Sequence, residues 1–310
     1  MQAMRAYAPA KINLTLEVLE RLPDGYHTIR SVMIKLPGLR DVVRVEIDRG
    51  PAKIEVSSDT TEIPCDERNV CHRIAERYLQ ATAFEARVSI HIEKKIPVAA
   101  GLGGGSSDAA AVLVALNRHF DGALSQQRLR DLSVDVGRDI AFFLSGADAA
   151  LASGTGERIA RVDCRTPLHV LVVNPCIAVA TGAAYEALSG GLWFMAREDR
   201  TDRSRAMVDA LREGAMPSVC ASLYNDFEAV VEPAHPVVKE IKQALRAFGA
   251  EGASMTGSGS TVFGLFTSPA RLRAAEHAMR EHYPSFAIAR GGALNAVNDD
   301  SDAESRTLMR

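Results

Sequence analysis

A run of four glycines and two serines, Gly101-Leu102-Gly103-Gly104-Gly105-Ser106-Ser107, constrains this chain more than any other segment. It stands between residues 88–92, which alternate as a strand, and residues 106–119, which are small or aliphatic at helical spacing. The glycines let the backbone fold tightly with its N–H groups inward, and a helix start adds unpaired N–H groups and a positive dipole end. Ser106 and Ser107 bring hydroxyls that reach a phosphate oxygen or a magnesium ion. The combination is a cradle for a polyanion. No Gly-Lys-[Ser/Thr] closes it, so it is not a Walker A loop; Ser106 stands where a dinucleotide fingerprint needs Gly or Ala.

Composition narrows the class. A chain of 310 residues exceeds what one hydrophobic core fills, so two domains are expected. The balance of 36 Lys+Arg against 39 Asp+Glu, net −3, provides no basic face for a nucleic-acid partner. No run of about 18 apolar residues occurs, so no membrane partner is expected. The first ten residues lack a signal-peptide core, and the five cysteines form no Cys-x-x-Cys pair. A cytoplasmic protein with reduced thiols is the expectation. Nothing in the sequence speaks to oligomeric state.

The first half reads as strand-rich. Ile12, Leu14, Leu16 and Val18 share one parity, as in a half-buried strand, which puts Lys11, Asn13 and Thr15 on its other face. Pro23-Asp24-Gly25 supplies turn chemistry. Strands are predicted over 28–36, 42–47 and 53–57, antiparallel through short connections. Helices follow over 69–81, with Asn69 as N-cap, over 106–119, apolar nearly all round and therefore buried, and over 125–136. A short apolar segment at 139–144 and a strand and turn at 149–156 close this half. A second unit begins at Pro167: strand 170–173, helix 181–188 ended by Ser189-Gly190-Gly191, helices 203–212 and 236–248, strands at Met255 and 261–266, helix 269–282 and strand 286–289. That alternation fits a split β-α-β sandwich. Residues beyond Asn295 read as a frayed tail.

Other candidates are less explicit. Lys11 lies in Ala8-Pro9-Ala10-Lys11-Ile12-Asn13, where the pattern fits a surface lysine as well as a functional one. Asp139, in Gly137-Arg138-Asp139-Ile140, is equally an N-cap or a functional acid. Thr256-Gly257-Ser258-Gly259-Ser260-Thr261 is a second glycine-rich turn, and Ser153-Gly154-Thr155-Gly156-Glu157 reads as a plain one.

Taken together, Pro9-Ala10-Lys11-Ile12-Asn13-Leu14, Asp24-Gly25-Tyr26-His27-Thr28, Gly101 to Ala110 and Gly257-Ser258-Gly259 resemble the GHMP small-molecule kinases. The strand and the Asp-Gly-Tyr-His-Thr turn narrow the likeness to those acting on a cytidine diphosphate-linked methylerythritol, from about Tyr7 to Asn295. The resemblance implies an α+β fold with an N-terminal domain of ribosomal-protein-S5-domain-2-like type (1–165), a C-terminal ferredoxin-like domain (166–297) and a flexible tail (298–310). It implies ATP, with Mg2+, over Pro97, Ala99 and Gly101, Leu102, Gly103, Gly104, Gly105, Ser106 and Ser107, and promotes Lys11 and Asp139 to a catalytic pair. The substrate contacts it implies are Asn13, Tyr26, His27, Asp139, Thr181 and Tyr185, with Tyr26 stacking on the cytosine, His27 bonding its edge and Tyr185 closing the other side. Gly257, Ser258 and Gly259 form the second loop; no direct metal ligand is indicated. The expected activity is phosphorylation of the 2-hydroxyl of the methylerythritol in non-mevalonate isoprenoid biosynthesis. A mevalonate, homoserine or sugar kinase, or a non-catalytic nucleotide-binding regulator, are the alternatives on the same fold.

Two departures flank the expected base: Arg138 where relatives usually carry Ala, and Ala141 where they carry Pro. Asp108, where Asn is also common, puts a negative charge into the first helical turn beside the cradle.

Overall fold

A computed structural model describes residues 2–189 and 202–294. The predicted breaker at Gly190 and Gly191 and the tail at 298–310 lie outside the described residues. Two long antiparallel strands open the chain, β1 (Gln2–Arg21) and β2 (His27–Arg49). The turn between them is the one its residues dictate: Tyr26 N–H donates to Asp24 Oδ1 at 3.0 Å, and Gly25 sits at φ +88°. β2 is continuous where the sequence reads as two strands. Pro37, Gly38 and Leu39 are absorbed as a bulge, since Ala10 pairs with Leu36 and the next residue, Pro9, pairs with Arg40.

β3 (Lys53–Ser58) does not continue the antiparallel series. It runs parallel to β4 (Ala86–Glu93), because α1 (Val70–Thr82) intervenes as a crossover. Asn69 caps α1, its Oδ1 accepting from Cys71 N–H at 2.8 Å. α2 (Gly104–His119), α3 (Gln126–Ser133) and α4 (Ile140–Leu144) follow, then the hairpin β5 (Ala149–Ser153) and β6 (Arg158–Arg161). Ile74 and Tyr78 of α1, Val112 and Leu116 of α2 and Phe142 of α4 bury the face formed by Val43, Val45 and Ile90. As expected for a helix with little polar surface, α2 is the buried centre of this half.

The second half builds an antiparallel sheet from β7 (Leu168–Asn174), β9 (Gly252–Met255), β10 (Val262–Phe266) and β11 (Ala287–Leu294), in the order β11-β7-β10-β9. α9 (Val237–Ala247) and α10 (Pro269–His282) cover it through Ile241, Leu245, Leu272 and Met279. α5 (Thr181–Ser189) and α6 (Arg203–Glu213) match the predicted helices. α7 (Met216–Ser222), β8 (Tyr224–Asn225) and α8 (Glu228–Ala234) were not predicted, being too short for any periodicity to register. β8 crosses back to pair with β1, so the first sheet runs β3-β4-β2-β1-β8 with β5 on β2.

β1 is therefore not half-buried as its alternation implied. Lys11, Asn13, Thr15 and Glu17 are all under 5% exposed: α6 covers Thr15 and Glu17, with Thr15 Oγ1 and Ser204 Oγ 2.8 Å apart and Ser204 N–H donating to Glu17 Oε2, and the two glycine loops meet Lys11 and Asn13. Ala10, Ile12 and Leu14 share an apolar cluster with Val170, Val172 and Phe263 of the second sheet. The site lies along this seam.

Candidate functional site

α2 begins at Gly104, so two glycines of the loop form its first turn. Gly103 is the N-cap at φ +71° and offers no side-chain cap, which leaves the first helical N–H groups open. Gly101, at φ +72°, abuts the second glycine loop: a Cβ on it would lie 2.5 Å from Thr256 O, and one on Gly257 would lie 2.7 Å from Gly101 Cα. The two glycine motifs are thus one structure, each requiring the other to lack a side chain. Asn225 holds the second loop from below, its Nδ2 donating to Met255 O and Gly257 O. Within that loop Gly259 is packed closely too, and a Cβ on it would meet Met255 Sδ at 2.7 Å.

Lys11 passes under the first loop. Its N–H donates to Leu102 O at 2.9 Å, and its Nζ donates to Asn13 Oδ1 at 2.7 Å and stands 3.4 Å from Asp139 Oδ2. Asp139 has helical backbone angles and makes no side-chain cap, so its carboxylate is not consumed by the start of α4. It is about a third exposed whereas Lys11 is buried, which leaves the acid accessible and the ammonium fixed. Asn13 is a hub: its Oδ1 also accepts from Gly257 N–H at 3.0 Å and Thr256 Oγ1 at 3.2 Å, and its Nδ2 donates to Ser31 Oγ. One amide thereby ties the lysine to the second glycine loop.

Two cavities meet over the loop, with Gly101, Gly103 and Ser106 lining both. The smaller, about 340 Å³, is walled by Pro97 to Ser106 together with Asn69, Val70, Lys94 and Asp108. Every residue expected to hold ATP lines it except Ser107, which is buried and whose Oγ has no hydrogen-bond partner among the described residues. The larger, about 770 Å³, contains Lys11, Asn13, Tyr26, His27, Asp139, Thr181, Tyr185, Gly257 and Ser258, so the expected substrate residues are brought together. Thr181 Oγ1 and Ser258 Oγ are 2.9 Å apart on its wall.

The aromatic group is arranged differently from an open sandwich. His27 is stacked on Tyr185 with ring centroids 4.8 Å apart, its Nε2 2.9 Å from Ser189 Oγ, while Tyr26 stands 53% exposed at the rim. Burial, with the Asp139 charge second, pushes the Tyr185 hydroxyl up to about 12.

Sequence reasoning missed the polar core beside the cradle. Lys94 Nζ donates to Asp41 Oδ2 at 2.5 Å and Asp108 Oδ2 at 2.9 Å, all three side chains being buried. Desolvation alone would lower Lys94, but the two carboxylates outweigh it and raise it. Burial pushes Asp108 up to about 7, Lys94 pulling it down and Asp41 pushing it further up. Nothing beside Lys94 in the sequence announces its partners; the signal available was Asp108 itself, an acid in a helix that is otherwise small or aliphatic over its buried face. Thr155, placed in a plain turn, lines the larger cavity.

The chain is similar to known proteins along most of its length. Residues 69–156 match the model of the GHMP kinases N terminal domain and residues 207–285 that of the GHMP kinases C terminal. The chain is 40% identical over 277 residues to a 4-diphosphocytidyl-2-C-methyl-D-erythritol kinase of Geobacter sulfurreducens, covering 89% of this chain and 95% of the relative. It is 37% identical to the enzyme of that name from Bacillus velezensis, covering 94% and 98%. A crystal structure of 4-(cytidine 5'-diphospho)-2C-methyl-D-erythritol kinase superposes with a TM-score of 0.72 at 32% identity, covering 93% of this chain and 98% of that one. A chain whose two glycine motifs share one backbone contact, and whose likeness to these kinases runs nearly end to end, belongs to the GHMP kinase family.

Proposed function

We propose that the chain transfers the γ-phosphoryl group of ATP to the 2-hydroxyl of 4-diphosphocytidyl-2-C-methyl-D-erythritol, in the non-mevalonate route to isoprenoid precursors. What carries this reading is the junction of the two cavities at Gly101, Gly103 and Ser106, with the Lys11–Asp139 pair on its larger side. The nucleotide occupies the smaller cavity with its phosphates against the loop and the open N–H groups of α2. The acceptor fills the larger one, with its base at Tyr26, His27 and Tyr185.

In this mechanism Asp139 orients the acceptor hydroxyl and takes its proton. The oxygen attacks the γ-phosphorus in line, the bond to the β-phosphate oxygen breaks, and ADP leaves. Lys11 holds the carboxylate in place by charge and steadies charge on the attacking oxygen. A weak base suffices, because phosphoryl transfer is loose and catalysis is chiefly positioning and charge neutralisation. Asn13 positions Lys11, and β1 is a more rigid support for it than a loop would be.

Magnesium fits this site as a partner of the nucleotide. Among the described residues no cluster of His, Cys, Asp or Glu could hold a metal alone, whereas Ser107 Oγ and Asp108 Oδ1 are buried without hydrogen-bond partners beside the loop. Bound there with ATP, it would neutralise phosphate charge. The reading includes a boundary between domains near residues 165 and 166 and a cytoplasmic location; no helix of the described residues is long and apolar enough to cross a membrane.

The test is transfer of labelled phosphate from ATP to a panel of alcohols. Preference for the cytidine diphosphate-linked alcohol is expected. Preference for mevalonate, homoserine or a sugar would overturn the reading in favour of another kinase of the family, and ATP binding without any product would favour a regulator.

A further inference from the structure

Arg138 precedes Asp139 and lines the same cavity, half-buried. Its stem lies against the β5–β6 turn, where Gly156 sits at φ +114° and a Cβ on it would stand 3.4 Å from Arg138 Cβ. From there the guanidinium reaches over the Tyr26 ring, with Cζ 4.6 Å from the centroid. Arg138 therefore bridges two turns at the cavity mouth and holds an otherwise exposed ring in place.

Its charge is only weakly engaged within the protein: against burial, the bonds Glu157 accepts within its turn, and after them the Arg138 charge, hold the Glu157 carboxyl below its ordinary value. No hydrogen bond or ion pair joins Arg138 to another of the described residues. Glu157, on the adjoining turn, has its Oε2 taken by Thr155 N–H and Oγ1, both at 2.8 Å, and its Oε1 facing Arg158 Nε at 3.6 Å. Lys11, by contrast, is paired with Asp139. A guanidinium stacked on a ring uses its flat face and keeps its edge N–H donors in the plane, and that edge fork matches phosphate oxygens.

We infer that Arg138 is a specificity-determining residue that binds the diphosphate of the acceptor through its edge while its face fixes Tyr26. The inference rests on the proposed reaction for its substrate, and it explains what an arginine does immediately before the base. An acceptor without a diphosphate would leave the edge donors of this cation unpaired, so the residue selects for nucleotide-linked alcohols over simple ones.

The test measures binding of CDP and of cytidine by calorimetry, with a non-hydrolysable ATP analogue present, to the wild-type chain, Arg138→Gln and Arg138→Lys. Steady-state kinetics on the cytidine diphosphate-linked alcohol accompany it. Arg138→Gln is expected to weaken CDP by about tenfold or more, the scale of a hydrogen bond to a charged group, and cytidine by less than about threefold. KM for the acceptor should rise in step with CDP, with kcat and KM for ATP changing less than about twofold, and Arg138→Lys should recover part of the loss. Equal losses for CDP and cytidine would reduce Arg138 to a prop for Tyr26 and overturn the inference, as would no loss for either. A wild-type chain that binds CDP through Arg138 without phosphorylating the alcohol would overturn the reaction and uphold the contact. One that binds no CDP would overturn both.

Discussion

Lys11 Nζ stands 3.4 Å from Asp139 Oδ2, an ammonium on a buried strand facing a carboxylate at the mouth of a short helix. The separation is longer than a strong hydrogen bond, so the pair is held by charge and leaves the carboxylate accessible to an incoming hydroxyl. Groups acting as one unit are not additive. Lys11→Met and Asp139→Asn should each lower kcat by about 10²-fold or more, with unfolding curves near wild type, and the double variant should lose little beyond the worse single. Steady-state kinetics on the three variants measure this.

Asn13 accepts from Lys11, Gly257 and Thr256 at once. Asn13→Ala would leave the buried Gly257 N–H and Thr256 Oγ1 without this acceptor, each worth about 1–3 kcal/mol when unpaired, and would leave Lys11 with Asp139 alone. Denaturant unfolding should show a loss of at least about 2 kcal/mol, together with a fall in kcat as the ammonium loses its anchor.

Gly101 and Gly257 touch backbone to backbone, and both lie at positive φ. Gly101→Ala or Gly257→Ala must push the two loops apart. Each should raise KM for ATP by about tenfold or more, while Gly122→Ala, at a positive-φ position with nothing within 4 Å, should affect stability alone. ATP titrations of the three variants distinguish contact from conformational strain.

Asp108 binds a proton in the folded chain up to about pH 7, against an ordinary value of 3.8. Between those values the folded state holds more protons than the unfolded one, so this group makes stability fall as pH rises through the window. Asp108→Asn removes the buried charge and leaves Lys94 paired with Asp41. Its Tm should exceed wild type by several degrees at pH 8, with the gain shrinking toward pH 4. A gain constant with pH would assign the effect to packing.

Much of this site was legible because its parts are contiguous. The glycine-serine loop, Lys11-Ile12-Asn13 and Asp24-Gly25-Tyr26-His27 each carry their chemistry within a few residues, and the structure brings all three to one seam. What was not legible depends on distant chain meeting. The polar face of β1 looked solvent-exposed because nothing near it in sequence announces α6. β3 looked antiparallel because the pairing choice is made by a crossover helix that follows it. Lys94 gave no sign of its burial because Asp41 and Asp108, which pair with it, come from a different strand and a helix. The stacking of His27 on Tyr185 likewise joins a turn of the first half to a helix of the second.

Tyr26 is exposed and fixed chiefly by its turn and by Arg138. Tyr26→Ala should raise KM for the cytidine-linked alcohol by about tenfold and leave kcat near wild type, since stacking on a base, worth about 1–3 kcal/mol, is mostly ground-state binding. An unchanged KM would move the base away from this turn.

The pairing of Lys11 with Asp139 as the phosphoryl-transfer machinery is tested most directly by single-turnover rates. Enzyme preloaded with ATP is mixed with the cytidine diphosphate-linked alcohol, and product is followed for wild type and Asp139→Asn. A transfer step slowed by about 10²-fold or more, with both substrates still binding, is the expected result. Transfer within about twofold of wild type would contradict the account.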